Sequence, residues 1–417
     1  MLLRLKTLIL LLSLLFVLFS SCNKELPVIK SQESIKDLIL DSIYYYAKEV
    51  YFWNEEIPNY NIFSPRKKYG QISPDLFAYK TELYDITQLK IDKITNLPYE
   101  FSLNGIPKFS YIEERSSKFK YSSMLSNVIE NNNIITAELN NIPYLKFNNF
   151  HSLENVQSIF DNFFLAISLK RPKTLIIDLR ENSGGYIETV EYLANLIISS
   201  NNNNKVMFSE EFNKTLIEGK AKILRNQVYL DEEGKFKIIN GRLATLDDVD
   251  YTEKNNTYYF SKKGFLESIE QIYFITSPKT ASASEMLINV LSPYINIKIY
   301  GGKTYGKPIG TFPIKIKDYS LFISSFVIKN ANGYYNYFNG FTPNIYCNYR
   351  SEVNEELNDD CLNCIFSNLG INIESKNIKI LSRRSNQITM DIDSHKEAVK
   401  GNFKIKPLNK IIYEKEN

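Results

Sequence analysis

From Ile142 onward the chain alternates short apolar runs with stretches of helical periodicity, and that alternation leaves few architectures open. Thr174 to Leu179 is a short run without polar alternation, the pattern of a strand buried on both faces of a parallel sheet. Pro143 to Phe147, Gln271 to Thr276 and Ile295 to Tyr300 read as further strands. Between them, Leu153, Val156, Ile159, Phe160, Phe163, Phe164 and Ile167 fall on one helical face, and the stretches Ile187 to Ile197 and Ser282 to Leu291 also carry helical patterns. The expected core is therefore α/β and built of β-α-β units. A β-rich excursion over 205–262 interrupts it. Thr311 to Ile316 reads as a strand, and Asn332-Gly333 as a hairpin turn between strands Phe322 to Ile328 and Tyr334 to Phe338.

The chain's start is of another kind. Arg4 and Lys6 precede an apolar run from Leu8 to Phe19, too short to span a bilayer, and Ser20, Ser21 and Cys22 follow. This describes an export signal over 1–21, and Phe19-Ser20-Ser21-Cys22 resembles a bacterial lipoprotein signal, which implies lipidation at Cys22. Residues 22–34 read as a polar tether. Ile35, Leu38, Ile39, Ile43, Tyr46 and Val50 then recur at helical spacing behind a Ser34/Asp37 cap, and a second helical stretch runs from Pro74 to Leu89. A small helical domain is expected over 35–98 and a linker or reduced subdomain over 99–141.

Composition excludes some partners. Among 417 residues, 50 Lys+Arg face 47 Asp+Glu, interspersed, so no basic face points to nucleic acid. Cys347, Cys361 and Cys364 allow one disulfide at most, and two histidines with a single C-x-x-C do not make a structural zinc site. Nothing indicates a metal or organic cofactor.

Three stretches could carry chemistry. Ser282, in Thr280-Ala281-Ser282-Ala283-Ser284-Glu285, stands between a strand and a helix, where unpaired N–H groups can stabilise an oxyanion. The same Ser-x-x-Glu is also an ordinary capping box. Lys307, in Tyr305-Gly306-Lys307-Pro308, could act as a base only if burial keeps its amine neutral, and otherwise is a solvated turn lysine. The run Gly301 to Lys307 imitates a phosphate loop, but Pro308 stands where Ser or Thr is needed and a strand follows. Asp178-Leu179-Arg180-Glu181-Asn182-Ser183-Gly184-Gly185 leaves a buried strand through paired glycines, which suits either a ligand-facing N–H or a plain turn.

In order, and with Ser282 and Lys307 spaced 25 residues apart, these motifs resemble the C-terminal processing peptidases, or tail-specific proteases. Ile142-Pro143-Tyr144-Leu145-Lys146-Phe147, Phe338-Asn339-Gly340-Phe341-Thr342-Pro343-Asn344 and Trp53-Asn54-Glu55-Glu56-Ile57-Pro58 are similar to further segments of that family. The resemblance implies a crotonase/ClpP-like β-α-β catalytic core over 142–370, followed by an extension over 371–417. It also implies a nucleophile at Ser282, a general base at Lys307 and an oxyanion hole from Ala283 with the Gly184-Gly185 turn.

Two departures accompany it. Residues 99–141 are too few for the PDZ-like domain of many members, and Thr311 stands where a lysine-orienting glutamine is common. His151 could be offered as the base of a Ser-His-Glu branch, but Lys307 at the expected spacing argues for the dyad. The expectation is a lipid-anchored cell-envelope serine endopeptidase acting on polypeptides. The alternative is a non-catalytic surface lipoprotein that binds peptide or glycan.

Overall fold

The structure is a computed structural model. It describes residues 33–102, 104–115, 134–230, 235–349, 360–371 and 378–384, so the signal sequence and Cys22 lie outside the described residues. Helices are α1 Ile35–Val50, α2 Tyr60–Phe63, α3 Pro65–Tyr69, α4 Asp75–Thr87, α5 Leu153–Ser168, α6 Ile187–Ile197, α7 Lys214–Ile217, α8 Ala283–Leu291 and α9 Asp360–Asn368. The main sheet uses β2 Ile134–Leu139, β3 Ile142–Lys146, β4 Thr174–Asp178, β9 Gln271–Thr276, β10 Asn296–Gly301, β15 Ile345–Tyr346 and β16 Ile378–Arg384. The smaller sheets use β1 Tyr111–Glu114, β5 Val206–Phe212, β6 Ile238–Ile239, β7 Arg242–Leu243, β8 Thr257–Tyr259, β11 Ile309–Gly310, β12 Pro313–Ile316, β13 Tyr319–Phe322 and β14 Phe326–Asn330.

The strand order of the main sheet is β15-β10-β9-β4-β3-β2-β16. The five strands from β15 to β3 run parallel, while β2 and β16 add an antiparallel edge. Side chains on these strands alternate between two buried faces. Leu175, Ile177, Ile272 and Phe274 join the large core with α5, α6 and α8, while Ile176, Tyr273 and Ile275 join Cys361, Leu362 and Ile365 of α9. Burial on both sides is why these strands read as unbroken apolar runs. All nine residues of α8 are buried, so it has no solvent face.

The expected helices and core strands form within a few residues of their predicted bounds, and the Asp37 N–H donates to Ser34 Oγ at 3.0 Å. Two expectations change. Ile134 to Leu139, within the expected linker, is β2 of the main sheet, and β16 of the expected C-terminal extension pairs with it. The described residues from Ile39 onward form one compact unit with a shared core. The hairpin fails in its second arm. The chain turns where Gly333 N–H donates to Asn330 O, but 334–338 is not a strand. Its rings pack elsewhere: Tyr337 stacks on Phe341, and Phe338 meets Tyr99 and Trp53.

Cys347 and Cys361 form a disulfide and Cys364 is free. The single bridge allowed by three cysteines thus ties β15 to α9.

Candidate active site

The three motifs converge at the carboxyl ends of β4, β9 and β10, where ligands bind in open α/β sheets. Each is held there by side-chain hydrogen bonds to a neighbouring loop.

The turn after β4 begins with a buried charge cluster. Asp178 accepts from Arg180 Nε at 3.0 Å and from the Tyr144 hydroxyl at 2.7 Å, with Lys146 Nζ 4.0 Å away. Burial pushes the Asp178 carboxyl up, but Arg180, Lys146 and Tyr144 outweigh it and hold it below the ordinary carboxylate value. Removing the charge takes from the buried Arg180 guanidinium the carboxylate it donates to. Asp178→Asn is expected to cost about 3–5 kcal/mol, read as a shifted midpoint in urea. The contribution of a depressed carboxyl is present above its unfolded pKa and is lost as pH falls through the folded value, so the difference from wild type shrinks in acid.

Asn182 binds this turn to the next one. Its Oδ1 accepts from Gly184 N–H at 3.0 Å and Ser284 Oγ at 2.8 Å, and its Nδ2 donates to Phe147 O at 3.1 Å. Ser284, sequence neighbour of the candidate nucleophile, is therefore committed to structure. Gly184 also has its N–H engaged, and its contribution is proximity: a Cβ there would lie 2.8 Å from Ser282 Cβ. The N–H groups of Gly185 and Ala283, by contrast, make no hydrogen bond to other described residues.

Ser282 occupies the N-cap of α8 with φ 55°, a left-handed value costly for a residue with a Cβ. It is 3% exposed and its Oγ has no hydrogen-bond partner. Its N–H donates to Glu285 Oε2 at 3.1 Å, so the carboxylate half of the capping box forms. The structural and chemical readings of Ser282 are thus compatible.

The Glu285 carboxylate also reaches the loop after β10. Oε1 accepts from Thr304 Oγ1 at 2.5 Å and Gly306 N–H at 2.6 Å, and Oε2 accepts from Lys307 N–H at 2.8 Å. One fully buried carboxylate therefore holds the backbone of both Ser282 and Lys307. Burial pushes its pKa above the ordinary value, and the four hydrogen bonds oppose that without cancelling it. Lys307 is 6% exposed. Gly306 permits close passage of the 338–341 loop, since a Cβ would lie 2.3 Å from Phe338 O. Thr311 is buried with its Oγ1 unpartnered. His151 is buried just before α5, its carbonyl accepting from Thr189 Oγ1 at 2.6 Å. Sequence reading took Glu285 only as a cap partner, because its loop contacts lie 19 to 22 residues away.

Residues 141–347 match the model of peptidase family S41. The chain is a member of that family. Its fold also resembles solved structures at low identity. An S41 protease candidate from Bacteroides fragilis is 18% identical, with a TM-score of 0.41 and 57% of each chain covered. A lipoprotein from Streptococcus agalactiae is 15% identical over 75% of this chain and 92% of its own, TM-score 0.44. The photosystem II D1 C-terminal processing protease is 11% identical over 76% and 94%, TM-score 0.46. No curated protein sequence matches the chain. Among the described residues no helix is long and apolar enough to cross a membrane, and none of their side chains group as a metal site.

Proposed function

We propose that this S41 member is an exported, lipid-anchored serine endopeptidase in which Ser282 is the nucleophile and Lys307 the general base. The observation that carries the reading is the Glu285 carboxylate, which joins the N–H of Ser282 to the N–H of Lys307 while Ser282 Oγ stays unpartnered.

A lysine accepts a proton only as the free amine, and burial disfavours the ammonium. Ser282 Oγ attacks the substrate carbonyl carbon as its proton passes to Lys307 Nζ. The oxyanion forms against the N–H groups of Ala283 and Gly185, the second chosen over Gly184 because the latter already serves Asn182. Collapse breaks the C–N bond, and Lys307 returns the proton to the leaving amine. Water then cleaves the acyl-enzyme ester by the same route, and the proton ends on Ser282 Oγ. Thr311 Oγ1, buried and unpartnered, is assigned to orienting the lysine. The envelope location rests on the signal over 1–21 and on Cys22.

The test uses a fluorophosphonate, which labels activated serines without a known substrate. Residues 23–417 are expected to label at Ser282, in Ser284→Ala as in wild type. Labelling at Ser284, or none in folded protein, would overturn the assignment and favour the binding-module reading.

A further inference from the structure

We infer that Lys108 is a positioning residue for the candidate active site: its ammonium group clamps the Thr304–Lys307 loop against the 338–341 loop. The inference rests on the serine–lysine reading and adds to it a residue from the segment 99–110, which sequence analysis left as a linker.

That segment is fixed to the core. Glu100 is fully buried and accepts from Ser110 N–H and Oγ at 2.8 Å each and from Ser324 Oγ at 2.7 Å, and Lys108 N–H donates to Glu100 O at 3.1 Å. The Lys108 side chain then crosses both loops. Nζ donates to Phe338 O at 2.6 Å and lies 5.0 Å from the Tyr305 ring centroid and 5.2 Å from that of Phe109. The Tyr305 hydroxyl returns a bond to Lys108 O at 2.9 Å. Phe338 is also the residue whose carbonyl abuts Gly306, one position before Lys307. A cation between an aromatic face and a carbonyl gains from the ring quadrupole and from a charge-assisted hydrogen bond. Neutralising it weakens both contacts at once.

The groups facing the ammonium set its titration. Burial lowers it to about 8, with Glu285 opposing, Lys303 reinforcing and Glu100 opposing. The Tyr305 phenol, raised by burial to about 12, stays protonated throughout that range. The clamp is therefore charged below about 8 and weaker above it. Catalysis should show a falling limb near 8 from Lys108.

Lys108→Met and Lys108→Arg would be compared with wild type in cleavage of unfolded casein and in amide hydrogen exchange. The methionine variant is expected to lose on the order of 100-fold in kcat, the scale of a misplaced catalytic group, with KM little changed. It should exchange faster at 304–307 and 338–341 but not in β4 or β9. Arginine, which keeps the charge and does not titrate, should recover most of kcat and abolish the falling limb near 8. Wild-type kcat and exchange in the methionine variant would overturn the proposal, as would an unchanged falling limb with arginine. Exchange reads the clamp without catalysis. A protein that cleaves nothing but loosens at 304–307 on Lys108→Met would sink the peptidase reading and leave the clamp standing.

Discussion

Ser282→Ala is expected to reduce cleavage of an unfolded protein by at least about 10⁴-fold, and Lys307→Ala by a comparable factor. In the proposed mechanism both act in one proton-transfer unit, and deleting either member of such a unit costs nearly as much as deleting both. The double variant should therefore be no worse than the single ones. The residual rate is what the Ala283 and Gly185 N–H groups and binding supply without a nucleophile. Ser282→Ala has a second readable effect, on stability. Its left-handed φ remains, so alanine inherits the backbone strain and gains little. Melting temperatures close to wild type, with activity lost, are the expected pair of results. Cleavage by Ser282→Ala at more than a hundredth of the wild-type rate would end the nucleophile assignment.

The second large effect is at Glu285. Glu285→Gln keeps the volume but replaces one acceptor oxygen by an NH₂ group among four donors: Ser282 N–H, Gly306 N–H, Lys307 N–H and Thr304 Oγ1. Either orientation of the amide sets a donor against donors in a site with no access to water. The expected cost is about 3 kcal/mol, with a melting temperature lower by on the order of 5–10 °C. Activity should fall further than stability explains. Without the shared carboxylate, the N-cap of α8 and the Lys307 loop can separate, and a displacement of about 1 Å is worth on the order of 100-fold in kcat. The hydrogen bonds of Glu285 go to the chain's own groups, so KM should change little. A Glu285→Gln variant that melts early but retains full kcat would show that the carboxylate is only a cap.

Much of the fold was legible because the physics behind it is local. Apolar runs at 174–179 and 271–276 are buried on both sheet faces, and the stripes on α5 and α6 pack on the same face of that sheet. Such patterns survive in one dimension. The edge strands did not: β2 and β16 complete the sheet through backbone pairing with each other, which imposes little on side-chain periodicity. The missing arm of the hairpin shows the same limit. Tyr334 to Phe338 has strand composition, but its rings find aromatic partners at Phe341, Trp53 and Tyr99 instead of a neighbouring strand.

For the site, the sequence by itself determined which residues are the candidates for the proposed chemistry. A serine at a helix start, a lysine in a glycine-bounded turn and paired glycines after a buried strand are local requirements of oxyanion geometry and close approach. Only the tertiary structure decided what holds them together. Asn182 takes the Gly184 N–H and the Ser284 hydroxyl, Glu285 joins two loops 22 residues apart, and Lys108 reaches in from a segment without periodic signal. A single carboxylate, amide or ammonium has no sequence period, and its role is set by which backbone groups the fold leaves in need of a partner.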